Sequence, residues 1–253
     1  MPTYDVILPA GGRVSADLAR EAGSDVKALF RFGEETILAR TIRVLRESGL
    51  ARRIVVIGGD AVRDEAEQSG VHGLNEATTG PENILNGLKW LRAQDDPPKK
   101  VMIVTTDLPF LDAALIERFV GLCPEDRAIS VALISREEWT ARFPGSTAMF
   151  VRLADGEWTT GGAFLIDAEA LERSMPQIER VFAQRKSKMG MVRLLGPTFA
   201  YRLVRKTLTV AQIEAKIQSM LGCTGAAVRG APPELAYDID DLEDYAFAKG
   251  LTA

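Results

Sequence analysis

Short β-branched runs alternate with stretches of helical period through the first half of the chain, and that rhythm limits the fold more than any other feature. "YDVILPA" (4–10) precedes "ETILARTIRVLRES" (35–48), and "RIVVIGG" (53–59) precedes "DAVRDEAEQ" (60–68). A parallel pair of strands needs a crossover that travels back over a sheet face, and an amphipathic helix is the usual vehicle. The pattern continues with the helix "GPENILNGLKWLRAQ" (80–94), whose Ile84, Leu85, Leu88 and Leu91 share a face. It closes with the strand "VMIVTTDLPF" (101–110), the helix "AALIERFVGL" (113–122) and the strand "AISVALI" (128–134). The expected class is α/β, with a mostly parallel sheet between helical layers.

The second half is less regular. "STAMFVRLADGEWTTGGAFLID" (146–167) reads as a hairpin turning at Asp155-Gly156, with Gly161-Gly162 breaking the return strand. Residues 168–221 are mostly helical in pattern and carry the basic cluster Arg185, Lys186 and Lys188. "GAAVRG" and "LAYDID" read as last strands before the closing helix "DLEDYAFAKGL". With no repeat or linker, the reading is one domain over 1–253, the helical block about 168–221 forming an insertion or lid.

Composition narrows the partners. Net charge is −4 over 253 residues, with acids and bases interleaved, so no footprint for nucleic acid or an anionic membrane is present. No apolar run approaches the roughly 20 residues of a membrane helix, and the amino terminus enters a strand without a signal-like region, so a cytoplasmic location is expected. Cys123 and Cys223 lack a metal-binding spacing and read as buried free thiols; His72, the single histidine, reads as a surface or hydrogen-bond-satisfied residue.

Ligands of open α/β sheets bind beyond the carboxyl ends of the strands, which directs attention to three loops. The first is Pro9-Ala10-Gly11-Gly12-Arg13. Glycines let backbone N–H groups approach a phosphate, but the loop matches neither GxGxxG nor the P-loop, and taken alone it favours a plain turn. The second is "TTDLPFL", where Asp107 follows an apolar strand and Thr106; Asp112 fits the cap of the next helix, leaving Asp107 free to hold a hard cation. The third is "YDIDDLEDY". Asp241 suits a helix cap and Glu243 and Asp244 suit its dipole, whereas Asp238 and Asp240 are best explained by a nearby cation.

In their order along the chain, "LPAGG…VKALF", "TTDLPFL" and "YDIDDLEDY" resemble the motifs of the nucleotidyltransferase family that includes molybdenum cofactor guanylyltransferases and sugar-1-phosphate nucleotidyltransferases. The resemblance covers nearly the whole chain. It implies a three-layer α/β/α Rossmann-like nucleotide-diphospho-sugar transferase fold. It also implies that Ala10, Gly11, Gly12 and Arg13 wrap a triphosphate, with Thr106 beside it, while Lys27 neutralises charge on the α-phosphate and leaving pyrophosphate. Asp107 and Asp240, helped by Asp238, are implied as Mg²⁺ ligands. Gly80, Pro81 and Asn83 correspond to the segment that reads the base, with CTP or GTP as the expected NTP. Thr160, Gly161 and Gly162 correspond to the acceptor pocket. The chain departs from the family at its first loop, where Lys27 comes fifteen positions after Gly12. The intervening "RVSADLAREAGSDV" is either a flexible flap or a short helix supplying Arg20, and Arg13 or Arg20 stands in for the family arginine.

The expected reaction is transfer of an NMP from an NTP to a phosphorylated small-molecule acceptor, with pyrophosphate leaving. A phosphate acceptor is already ionised at neutral pH, so no histidine base is needed. Lys186 and Lys188 are candidate clamps for that phosphate, against a plain solvated helix face. Two other readings are a nucleotide-sugar-dependent glycosyltransferase using Asp238-Ile239-Asp240, distinguished by NDP as product, and an inactive nucleotide-binding module.

Overall fold

A computed structural model of the chain describes residues 2–184 and 187–252; Arg185 and Lys186 lie outside the described residues. The amino-terminal part runs β1 (Tyr4–Pro9), α1 (Ala16–Ala22), β2 (Arg31–Phe32), β3 (Glu35–Thr36), α2 (Ile37–Glu47), β4 (Ala51–Gly58), α3 (Asp60–Gln68) and β5 (His72–Asn75). The middle continues with α4 (Gly80–Arg92), β6 (Lys100–Val104), α5 (Ala113–Leu122), β7 (Ile129–Ser135) and α6 (Arg136–Arg142). Then follow β8 (Val151–Leu153), β9 (Gly156–Asp167), α7 (Ala168–Gln184), α8 (Lys188–Leu195), α9 (Pro197–Val204), α10 (Val210–Leu221), β10 (Gly225–Arg229) and α11 (Leu242–Thr252). The sheet order is β10-β7-β9-β6-β1-β4-β5, with β8 on β9. β9 runs antiparallel to both β6 and β7, and the β1, β4, β5, β6 ladders are parallel.

Both faces of the sheet are covered, so its central strands read as unbroken apolar runs rather than alternating ones. In β1, Val6 and Leu8 pack with Ile42 and Leu45 of α2 and Phe119 of α5, while Ile7 packs with Leu88 and Leu91 of α4 and Leu171 of α7. Helices therefore lie on both sides, giving the three-layer arrangement expected from the alternation. The chain leaves β1 for β4 and β5 on one flank and then crosses to β6 on the other. The loops after β1 and β6 are thereby left side by side, at the switch point where such sheets bind ligands.

Two local expectations need correction. "LAYDID" is not a strand: a 3₁₀ turn spans Pro233–Ala236, and the chain then passes to α11 without joining the sheet. Asp238 and Asp240 thus owe their placement to a loop, not to strand alternation. The Gly161-Gly162 pair does not break β9, which is continuous, but sits where its pairing with β7 slips register between Val131 and Leu133. A Cβ at Gly161 would stand 2.8 Å from Leu235 O, and one at Gly162 would collide with Thr105 Oγ1. Only glycine lets the bulge pack this closely.

At the opposite end of β1, Asp5 is fully buried and receives forked hydrogen bonds from Arg52 (2.8 and 2.9 Å) and from Arg53 (2.6 Å) of β4. Burial alone would raise its pKa; the arginine hydrogen bonds and charges outweigh that and lower it below the ordinary 3.8. Its ionised form thus stabilises the fold at pH above the ordinary value, and the contribution is lost as pH falls through the lowered one. Asp5→Asn is expected to cost about 3 kcal/mol in urea unfolding at neutral pH, the low end for removing one partner of a buried pair, because the arginines keep some solvent. The deficit against the native chain should shrink as pH falls below the ordinary 3.8 and through the lowered value.

Candidate functional site

The gap before Lys27 is a closed excursion. Arg13 and Val26 form an antiparallel bridge, Val14 N donates to Asp25 O (3.1 Å), and Lys27 N donates to Gly12 O (3.0 Å). Between them Ser15 caps α1 through the Leu18 amide, and Gly23 ends it at φ 77°. The segment is the short-helix alternative, but Arg20 pairs with Asp17 on the exposed face of that helix. Arg13 instead turns to the glycine loop, donating to Gly11 O at 2.9 Å and to Glu76 Oε1 at 2.7 Å.

The bridge delivers Lys27 to the mouth of the sheet, where its side chain is 13% exposed. Its ammonium bonds to Asp240 and lies 3.4 Å from Asp107 Oδ2. Burial alone would lower its pKa, but Asp107, then Asp240, then Asp238 outweigh that and hold it above the usual lysine value, so it stays charged. Asp107 keeps a second oxygen, Oδ1, buried with no hydrogen-bond partner among the described residues. Asp238 opens to the cleft's solvent, yet partial desolvation, then the charges of Asp107 and Asp240, push its carboxyl up to about 6. Among the described residues no three His, Cys, Asp or Glu side chains form a metal cage. As expected, Asp112 caps α5 through the Leu115 amide, and Asp241 caps α11 through the amides of Glu243 and Asp244.

On one side of this cluster lies a cavity of about 460 Å³ lined by Gly11, Gly12, Arg13, Gly80 and Asn83, which brings the glycine loop and the α4 start together. Thr79 and Glu82 form a capping box at that start, and the Asn83 amide oxygen accepts from Ala77 N at 2.6 Å, holding the 76–79 loop in shape. The Ala10 amide is spent on Ile57 O (2.8 Å), and the Thr106 hydroxyl on Pro9 O (3.1 Å); neither residue lines the cavity, nor does buried Pro81. Those three brace the loops from behind.

The sequence reading missed two residues here. Glu76 follows β5, so the strand-end rule applied to it as well. Its carboxylate stands over Gly11, where a Cβ would come within 2.7 Å of Oε2. Phe182 of α7 also lines the cavity, close to Gly80, and nothing local in "IERVFAQ" signals it.

On the other side a cavity of about 880 Å³ takes in Thr160, Asp238 and Asp240 and continues between the sheet and α10. Gly161 and Gly162 do not line it and serve the bulge instead. Lys186 lies outside the described residues, and of Lys188 only its place at the start of α8 is described. Among the described residues no helix is long and apolar enough to cross a membrane.

Comparison with known proteins bears on this geometry. The family model described as MobA-like NTP transferase domain matches residues 6–227. A hypothetical transferase from Thermus thermophilus is similar over 96% of this chain and 99% of its own, at 26% identity and a TM-score of 0.81. A nucleotidyl transferase from Methanothermobacter thermautotrophicus is 15% identical, with a TM-score of 0.59, covering 99% of this chain and 97% of its own. The 2-C-methyl-D-erythritol 4-phosphate cytidylyltransferase of Thermus thermophilus is also 15% identical, with a TM-score of 0.54 over 99% and 98% of the two chains. The last two share the fold. No curated protein matches the chain.

A raised carboxylate pKa favours the fold below its unfolded value and loses that benefit as pH rises toward the folded one. With Asp238 pushed up to about 6, the free protein should lose stability between roughly pH 4 and 6. Asp238→Asn should flatten that slope and gain about 1 kcal/mol at neutral pH, a modest figure because solvent screens the group. Urea midpoints measured across the range check both.

Proposed function

The chain belongs to the MobA-like NTP transferase family and is a nucleotidyltransferase; from that premise we propose that it moves an NMP from CTP or GTP to a phosphorylated small-molecule acceptor, releasing pyrophosphate. The observation that carries this reading is the position of Lys27. One ammonium stands between the glycine loop and two carboxylate loops; its partner Asp240 lines one cavity, and Gly12, beside its side chain, lines the other.

The triphosphate would lie over Gly11, Gly12 and Arg13, whose amides have no hydrogen-bond partner among the described residues. Its arrival would take Arg13 from Glu76 and Lys27 from its carboxylates, exchanging side-chain anions for phosphate oxygens of greater charge. Lys27 then favours the transition state by offsetting the charge that grows on the bridging oxygen as pyrophosphate departs. An acceptor phosphate oxygen forms the new bond to the α-phosphorus as the α–β bridging bond breaks, and pyrophosphate leaves with the electron pair. Positioning and charge supply the rate, so no proton acceptor is required.

The residues also suit Mg²⁺. Asp107 has an unused buried oxygen, and Asp238 and Asp240 crowd negative charge opposite it. Mg²⁺ commonly takes one or two carboxylates and completes its shell with water and substrate phosphates, so no full protein cage is needed. Asp107 and Asp240 would hold it, Asp238 helping, and bound there it would screen the triphosphate's charge against the incoming nucleophile.

Lys27→Ala and Asp107→Ala are expected to cut pyrophosphate release at least about 100-fold while circular dichroism stays native. Near-native turnover in either would refute the assigned roles. The cognate NTP with Mg²⁺ should raise the melting temperature more than the other NTPs, the gain approaching about 2.7 kcal/mol at a hundredfold excess over Kd.

A further inference from the structure

The cavity beyond Lys27 is larger than a phosphate needs and changes character along its length. Asp238, Asp240 and Thr160 share it with Leu133 of β7, Leu153 of β8 and Ile213 of α10. Leu133 and Leu153 form a small apolar cluster of their own with Leu208 and Val210, apart from the two clusters that cover the sheet faces. The helical block thus builds an apolar wall opposite β7 and β8. The polar side chains that α10 turns to this wall are committed to the β10 backbone: Glu214 accepts from Ala227 N at 2.6 Å, and Gln218 donates to Gly225 O at 3.0 Å. Three large apolar side chains on the rim are left open, Met149 (89% exposed), Val151 (46%) and Ile217 (45%).

Trp158 Nε1 and the threonines of β9 offer a few polar contacts along the same lining, too few for a sugar's full set of hydroxyls; the others would exchange water for hydrocarbon, which is unfavourable. An apolar group placed there gains from burial and covers the rim side chains. Extending the nucleotidyl-transfer reading of the same site, we propose that the acceptor is a phosphate monoester of an apolar alcohol. Its phosphate faces Lys27, and its hydrocarbon body lies between α10 and the β7–β8 wall. The chemistry is the same as in any phosphate acceptor: its oxygen bonds to the α-phosphorus and pyrophosphate departs with the bridging electron pair.

Decyl phosphate and 2-naphthyl phosphate are the probes, separating a chain-like from an aromatic body, with glucose 1-phosphate as the polar control. Calorimetric titration of the full chain should show at least one apolar phosphate binding at least about tenfold more tightly than glucose 1-phosphate. Whichever of the two binds better assigns the body. Ile217→Glu changes a half-exposed position and should weaken that binding about tenfold, while the melting shift from NTP stays as in the native chain. Glucose 1-phosphate binding as well as the apolar phosphates, or an unchanged affinity in Ile217→Glu, overturns the proposal. An NTP shift without apolar-phosphate binding overturns it too and leaves the nucleotidyl reading intact. Apolar-phosphate binding without any NTP shift supports the apolar site and removes the nucleotidyl reading instead.

Discussion

Lys27 ties together three parts of the chain that lie far apart in sequence. Its partners Asp107 and Asp240 come from the loop after β6 and the turn before α11, so one ammonium closes a site assembled across almost the full length of the protein. The carboxylates around it would repel one another without that charge; desolvation first, and then the charges of Asp107 and Asp240, raise the pKa of Asp238 even with it in place. Three carboxylates thus surround one ammonium, and Asp107 Oδ1 is buried with no hydrogen-bond partner among the described residues.

The sheet makes that meeting possible. Because β1 lies between β4 and β6, the loops leaving β1 and β6 emerge together, and the Arg13–Val26 bridge folds the extra helix out of the way so that Lys27 returns to the same mouth. Antiparallel β9, with its glycine bulge, lets the 235 backbone approach the sheet and brings the following acidic turn to the same edge. The Asp5–arginine knot fastens β1 to β4 at the far end.

Much of this was legible from residue patterns, for reasons that differ by element. α3 and α5 follow their helical periods to the residue, since each lays one apolar face on the sheet. Asp112 and Asp241 declared themselves as caps by position, which left Asp107 and Asp240 in need of another role. The elements that were misread depend on tertiary contact. "LAYDID" has strand composition, but it is buried by packing around Tyr237 rather than by pairing. Ala10, Pro81 and Thr106 sit in the loops expected to bind the nucleotide, yet spend their polar groups, or their bulk, on scaffolding. Phe182 reaches the cavity beside the glycine loop only because α7 crosses α4, a relation no local signal carries.

A crystal structure of the protein with a slowly hydrolysed analogue of its preferred NTP tests the central claim most directly. The account predicts the triphosphate seated on the amides of Gly11, Gly12 and Arg13, with the Lys27 ammonium moved from Asp240 to an α-phosphate oxygen and Arg13 released from Glu76. A triphosphate bound elsewhere, with the Lys27–Asp107–Asp240 cluster unchanged, would contradict it.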